Sequence, residues 1–178
     1  MAIGATIHRA ELAIADMDRG YYGDHAVTIA RHPSETVERM MVRLLAFALF
    51  ADPALQFGRG LSTEDEPDLW QRDDAGELVR WIDVGLPDER RLRKAHGRAG
   101  DVVVIAYGGS RAQMWWQRSQ PALARLERLS VYCLSPGDCA ALEALAGRSM
   151  RLAVNIQEGN VWVGAGDAAA EVALQRLR

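Results

Sequence analysis

From Ala5 to Ala15 apolar and polar residues partly alternate, and they do so again from Tyr21 to Arg31, with Asp16, Asp18 and Gly20 between. A period of two broken by turn formers predicts a β-hairpin. After His32 and Pro33 the period changes. Val37, Met40, Met41, Leu44, Leu45 and Ala48 recur at three and four, which predicts a helix with one core-facing stripe and Ser34 as its N-cap. Asp52-Pro53 predicts a short second helical piece ended by Gly58 and Gly60. A second hairpin follows, with Pro67 to Gln71 and Glu77 to Val84 as strands and Asp73-Asp74-Ala75-Gly76 as the turn. Pro87 begins a basic helix reaching Ala99, and the Val/Ile run from Asp101 to Tyr107 reads as a buried strand. Gly108-Gly109 leads into a strand ending at Trp116, Ser119 and Pro121 open a further helix, and Leu129 to Leu134 is another strand. Ser135-Pro136-Gly137-Asp138 has the form of a capping box with a short acid, and a last hairpin spans Met150 to Val163. Strands and helices alternate from Glu66 onward. The expected fold is therefore α/β, a mixed central sheet flanked by helices, with a hairpin towards each end. No repeat, linker or low-complexity segment interrupts it, so residues 1–178 read as one domain.

Composition narrows the class. With 178 residues and 49% apolar content, the chain has enough apolar surface to build one core without staples. Two cysteines, Cys133 and Cys139, are too few for a disulfide framework and lack a metal-ligand spacing. The longest apolar stretch, Leu44 to Ala51, is far short of a membrane span, and the N-terminus has no basic flank before an apolar run. A cytoplasmic protein with no membrane partner is the expectation.

The net charge of −3 gives no global pull towards nucleic acid, but the charges segregate. Ser62 to Glu77 is acidic, whereas Asp88 to Arg98 is basic and carries the only lysine, Lys94. In the second hairpin, an even loop centred on Asp74-Ala75 places Asp68 opposite Trp81. Asp83, two residues further on, then shares that face as a diagonal neighbour of Asp68, roughly 7–8 Å away. Two carboxylates so placed can share a hard cation, Mg²⁺ or Mn²⁺. An odd loop would put them on opposite faces. Glu38 borders the apolar stripe of the first helix and is the third candidate ligand; the plain alternative is a solvated first-turn acid favoured by the helix dipole. Lys94 lies with Arg91 and Arg98 along one side of the basic helix, where a cation could stabilise a phosphoryl transition state, or simply pair with Asp88 and Glu89 in solvent.

These residues resemble a known constellation. Glu66-Pro67-Asp68 followed by Trp81-Ile82-Asp83-Val84-Gly85 is similar to the core of the PD-(D/E)XK nuclease-like fold. That fold places an Asp after Pro on one strand and acid-x-Lys on the next, often with an acid from a preceding helix. A wider set of residues resembles the YaeQ family: Ser34-Glu35, Glu38-Arg39-Met40-Met41, Gly60-Leu61-Ser62-Thr63, Pro67-Asp68-Leu69-Trp70, Ile82-Asp83-Val84-Gly85, and Tyr107-Gly108-Gly109 with Trp115-Trp116. The resemblance implies bacterial proteins of unestablished function with a variant nuclease-like fold. It implies Glu38, Asp68 and Asp83 as metal ligands, with Lys94 as a migrated catalytic cation, because the motif lysine is replaced by Gly85. Metal-dependent hydrolysis of nucleic acid is the first expectation. A catalytically silent nuclease-fold module that binds nucleic acid or a protein is the second.

Other signals carry less. Gly164-Ala165-Gly166-Asp167-Ala168-Ala169 matches a dinucleotide fingerprint, but too little chain follows it for the rest of that unit, so it reads as a turn. The five tryptophans read as packing residues, with base stacking the alternative.

Overall fold

The computed structural model describes residues 4–59 and 65–178; the Gly60-Leu61-Ser62-Thr63 stretch, with the Gly60 expected to end a helical piece, lies outside the described residues. The first alternating stretch forms β1 (Thr6–Asp16) and β2 (Tyr21–Arg31), antiparallel from Thr6↔Arg31 to Asp16↔Tyr21. Helix α1 (Val37–Leu49) starts two residues later than the Ser34 cap implied. Ser34 is held in a turn by His32, and Thr36 is the cap, its Oγ1 accepting from Arg39 N at 3.1 Å. The short helix expected after Asp52-Pro53 is instead a turn and a strand, β3 (Leu55–Phe57). Asp52 Oδ1 accepts from Ala54 N at 2.8 Å, which tightens the turn and releases Leu55 into pairing.

Strands β4 (Leu69–Arg72) and β5 (Leu78–Val84) form the second hairpin, and α2 (Glu89–Arg98) follows with Asp88 as its cap. Strand β6 (Asp101–Ala106) is buried along most of its length. The segment after Gly108-Gly109 is not a strand but a helix, α3 (Ser110–Leu123), which runs through Ser119 and takes Pro121 into its last turn. Ala112, Trp115, Ser119 and Leu123 recur at helical spacing, and that stripe outweighs the local alternation. Strand β7 (Leu129–Cys133) leads to α4 (Pro136–Glu143), whose cap Ser135 accepts from Asp138 N at 3.1 Å. Strands β8 (Ser149–Gln157) and β9 (Asn160–Ala165) form the expected last hairpin. The fingerprint-like Gly-rich segment turns the chain into β10 (Ala168–Ala173), and β11 (Gln175–Arg176) ends the series.

The described strands form two mixed sheets rather than one. The terminal hairpins join into a sheet ordered β10-β9-β8-β1-β2, in which β1 and β8 are parallel. The second sheet is ordered β11-β7-β6-β5-β4-β3, with β5, β6 and β7 parallel. Apolar residues of the first sheet, of α1 and α4, and of one face of the second sheet (Leu69, Ile82, Val84, Val103, Ile105) form one core. The other face of the second sheet packs Trp81, Val102 and Val104 against α2 and α3. Helix α1 is thus enclosed between sheets, and Met40 to Ala48 are all buried, not only the expected stripe. None of these helices is long and apolar enough to cross a membrane.

One charged residue lies within the buried stretch of that helix, Met40 to Ala48. Arg43 is 2% exposed and Glu35, just ahead of the helix, is 4% exposed. Arg43 Nε and Nη2 donate to the two Glu35 oxygens at 2.8 and 2.7 Å, and Nη2 also reaches Ala30 O on β2. Arg39 Nη1 donates to the same carboxylate at 3.0 Å. Breaking such a pair leaves a bare buried charge, whereas replacing both members by apolar groups removes the desolvation cost as well. Glu35→Ala is therefore expected to destabilise the fold by about 3–5 kcal/mol in urea unfolding. The Glu35→Met/Arg43→Leu double variant should recover most of that loss; a double variant as weak as the single one would contradict the argument.

Candidate functional site

The hairpin β4–β5 brings the candidate acids to one end of the second sheet. Arg72 pairs with Leu78, so the loop between them is odd-numbered, against the even loop assumed from sequence. A β-bulge at Val79 inserts one residue and restores the parity, giving Gln71↔Arg80, Trp70↔Trp81 and Leu69↔Ile82. Carried one step beyond β4, this register sets Asp68 opposite Asp83, where Trp81 had been expected. Gly58 lets the preceding segment approach closely: its N–H donates to Asp68 O at 2.9 Å, and a Cβ there would overlap the Pro67 carbonyl oxygen.

Each acid is already engaged. Asp83 is 2% exposed, and Arg91, one turn into α2, grips both of its oxygens: Nε donates to Oδ2 at 2.7 Å and Nη2 to Oδ1 at 2.9 Å. The same Nη2 donates to Glu66 O at 2.7 Å, tying α2 to the segment before β4. Asp68 Oδ2 accepts from Val84 N at 2.7 Å, and Oδ1 accepts from Arg39 Nη2 at 2.7 Å. The two arginines come from opposite faces of the sheet, Arg39 from α1 and Arg91 from α2. Burial pushes the Asp83 carboxyl above the ordinary carboxylate range; the Arg91 fork pulls it down, Asp68 pushes it further up, and burial prevails.

Glu38 is half-buried on α1 and makes no hydrogen bond or ion pair among the described residues. Its charge is felt by Tyr107 and Cys139. Burial, chiefly, holds the Tyr107 hydroxyl above its usual value, and burial with Glu38 next pushes the Cys139 thiol up to about 12. Cys139 is buried in the apolar core, where it packs as a small apolar side chain. Lys94 is half-exposed and its ammonium is bonded to Asp65, not to Asp68 or Asp83. Among the described residues no three His, Cys, Asp or Glu side chains form a metal-holding group.

The residues that govern this site are ones the sequence reading left aside. Glu35 and Arg39 stand out in the sequence only within the family-like run Ser34 to Met41, and Arg91 only as one cation in a row. A signal was present: Arg43 is a lone charge inside the apolar run Met40 to Phe50, and a charge so placed needs an acid one or two turns away. Gly85, in the place of the motif lysine, has φ +109°. Nothing lies within 4 Å of its Cβ position, so the restriction is one of backbone conformation rather than space.

Two outcomes follow. Restoring the motif by Gly85→Lys should cost about 1–3 kcal/mol of stability through backbone strain, read as a lowered urea midpoint; an unchanged midpoint would show that the turn relaxes freely. For Asp83, a raised folded pKa means that the folded state holds the proton more tightly than the unfolded chain, whose Asp titrates near about 3.9. The contribution of Asp83 to stability is then full below that value and is lost as pH rises through the folded pKa. The stability of Asp83→Asn relative to wild type should accordingly rise with pH across this window. A relative stability that falls with pH would mean that the Arg91 fork prevails over burial.

Comparison with known proteins places this arrangement. A family profile described as YaeQ protein matches residues 1–174. The chain is 50% identical over 163 residues to an uncharacterized protein YaeQ of Salmonella typhi, covering 92% of this chain and 90% of that one. It is 46% identical over 163 residues to the uncharacterized protein YaeQ of Escherichia coli (strain K12), with the same coverage. The crystal structure of YaeQ protein from Xanthomonas axonopodis pv. citri superposes with a TM-score of 0.95 at 52% identity, over 98% of each chain. That of YaeQ protein from Pseudomonas syringae gives 0.91 at 40% identity, over 98% of this chain and 96% of the other. On a match that spans nearly its whole length in both sequence and structure, the chain belongs to the YaeQ family.

Proposed function

We propose that this protein is a nuclease-like scaffold used as a catalytically silent binding module, with nucleic acid as its partner. The nuclease-like part of the reading rests on order: Glu38 on a helix, then Pro67-Asp68 ahead of one strand, then Asp83 near the end of the next. The silent part rests on one observation. Both oxygens of Asp83 are taken by the Arg91 fork, and Asp68 is taken by Arg39 and the Val84 amide.

As arranged, these residues do not fit a resident divalent cation. Three of the four oxygens of this pair accept from a guanidinium, so a fixed positive charge already stands against each acid and would repel a divalent cation there. Hydrolysis with Mg²⁺ or Mn²⁺ on Glu38, Asp68 and Asp83, and Lys94 as the cation, would require both arginines to leave and Lys94 to abandon Asp65. The acids instead hold α1 and α2 against the sheet. Helix α2 displays Arg90, Arg93, Lys94 and Arg98 to solvent, a row of cations suited to phosphate contact.

The test has two parts. With Mn²⁺ and single- or double-stranded DNA or RNA, cleavage should not exceed that of Asp83→Asn; Asp83-dependent cleavage would replace this reading with the hydrolytic one. In fluorescence anisotropy at low salt, the protein should bind oligonucleotides. Arg90→Ser/Arg98→Ser should weaken binding across sequences and lower the salt slope by about two. Absence of binding would remove nucleic acid as the partner.

A further inference from the structure

The end of β7 and the turns that follow β6 and β7 border a cavity that the acidic site does not use. The two strands are parallel neighbours, paired from Val102↔Leu129 to Ala106↔Cys133. After β6 the chain turns through Gly108-Gly109 into α3, on the face of the sheet that holds Leu92 and Leu123. After β7 it turns through Ser135-Pro136 into α4, whose Cys139 and Leu142 pack on the opposite face. Adjacent strand ends whose connections leave to opposite faces open a crevice, the place where α/β sheets bind ligands. Here the crevice is a cavity of about 450 Å³, closed on one side by the C-terminal segment from Ala173 to Leu177. Its size falls in the range of small-molecule sites.

The chemistry of the lining selects the ligand. Trp116 offers a half-buried aromatic surface, and Gln113, Gln117 and Gln175 offer three carboxamides, each both donor and acceptor. Ser135 adds a hydroxyl, and α3 begins at Gly109 with no side-chain cap. Among the described residues no lining side chain carries a charge, so an ionic ligand would be desolvated there without a counter-charge. A neutral, flat ligand with donors and acceptors on its edge meets all of these conditions: the tryptophan takes its face and the amides take its edge.

We infer that this crevice binds an uncharged planar nitrogen heterocycle, with a nucleoside as its chemical class. The inference does not rest on the role proposed for α2. The probes lack phosphate, so phosphate contact by α2 can fail while nucleoside binding holds, and the reverse.

The test uses the full chain with adenosine, guanosine, cytidine and uridine as separate probes. Calorimetry gives affinity, and the indole N–H resonance of Trp116, assigned with Trp116→Phe, gives location. At least one nucleoside should bind saturably with Kd below about 1 mM and shift the Trp116 resonance. Gln113→Trp, at an exposed position of α3, should fill the cavity and abolish binding. Gln117→Met, which keeps length but loses the amide, should weaken binding about tenfold, the equivalent of about 1.4 kcal/mol. Both variants are checked for wild-type melting behaviour. No binding by any of the four, binding that leaves Trp116 unmoved, or binding that survives Gln113→Trp in a folded variant would each overturn the inference.

Discussion

A chain of alternating charges runs through the middle of this molecule, and its geometry constrains most of what surrounds it. Arg43 holds Glu35 and the β2 carbonyl of Ala30; Glu35 holds Arg39; Arg39 holds Asp68; and Asp68 holds the backbone of β5 at Val84. One end is anchored in the first sheet and the other in the second, with α1 between them. Dispersion and burial keep the layers together, but they are non-directional. The charge chain is directional, and each link works only if its neighbours are in place. It fixes the rotation of α1 about its axis and the height at which the second hairpin sits against it.

This network reverses the usual sense of an acidic cluster. Carboxylates crowded at a strand end repel one another and invite a cation. Here the cations are supplied by the chain itself, one guanidinium from each face of the sheet. Arginine stays charged at any physiological pH and presents a flat fork that matches a carboxylate, so it substitutes for a metal as a structural counter-ion. It cannot substitute for a metal as an activator of water. Gly85 belongs to the same picture, since a backbone that turns at φ +109° is strained for any residue with a side chain.

The legible parts of the fold were those where local periodicity and burial agree. The first hairpin, the Val/Ile strand β6, the Ser135 cap and the last hairpin all follow from patterns of a few residues. What failed was decided by distant partners. Leu55 to Phe57 became a strand because β4 lies beside it, and Ser110 to Trp116 became helical because Trp115 and Trp116 pack on the far side of the sheet. The union of the terminal hairpins into a second sheet has no local signal at all. The shared parity of Asp68 and Asp83 is legible only by way of a loop of the wrong length, which a bulge at Val79 compensates. Their arginine partners were not found, because pairing between α1, α2 and the strands is tertiary. The one hint, Arg43 in an apolar run, points to a buried pair without naming the partner.

The parallel ladder between β1 and β8 joins Arg9 to Ser149 and Asp16 to Ile156, with five of the six strands of the other sheet, β3 to β7, lying between them in the chain. As the chain leaves the ribosome, the first hairpin therefore emerges long before the strand that completes its sheet. Closing so wide a loop is slow, because its entropy cost comes before any reward from pairing. During that interval one edge of β1 and the apolar side of the hairpin stay open to foreign strands, the circumstance in which aggregation competes with folding. The earliest-made element of this protein thus keeps one edge open until β8, one of its later strands, has been made.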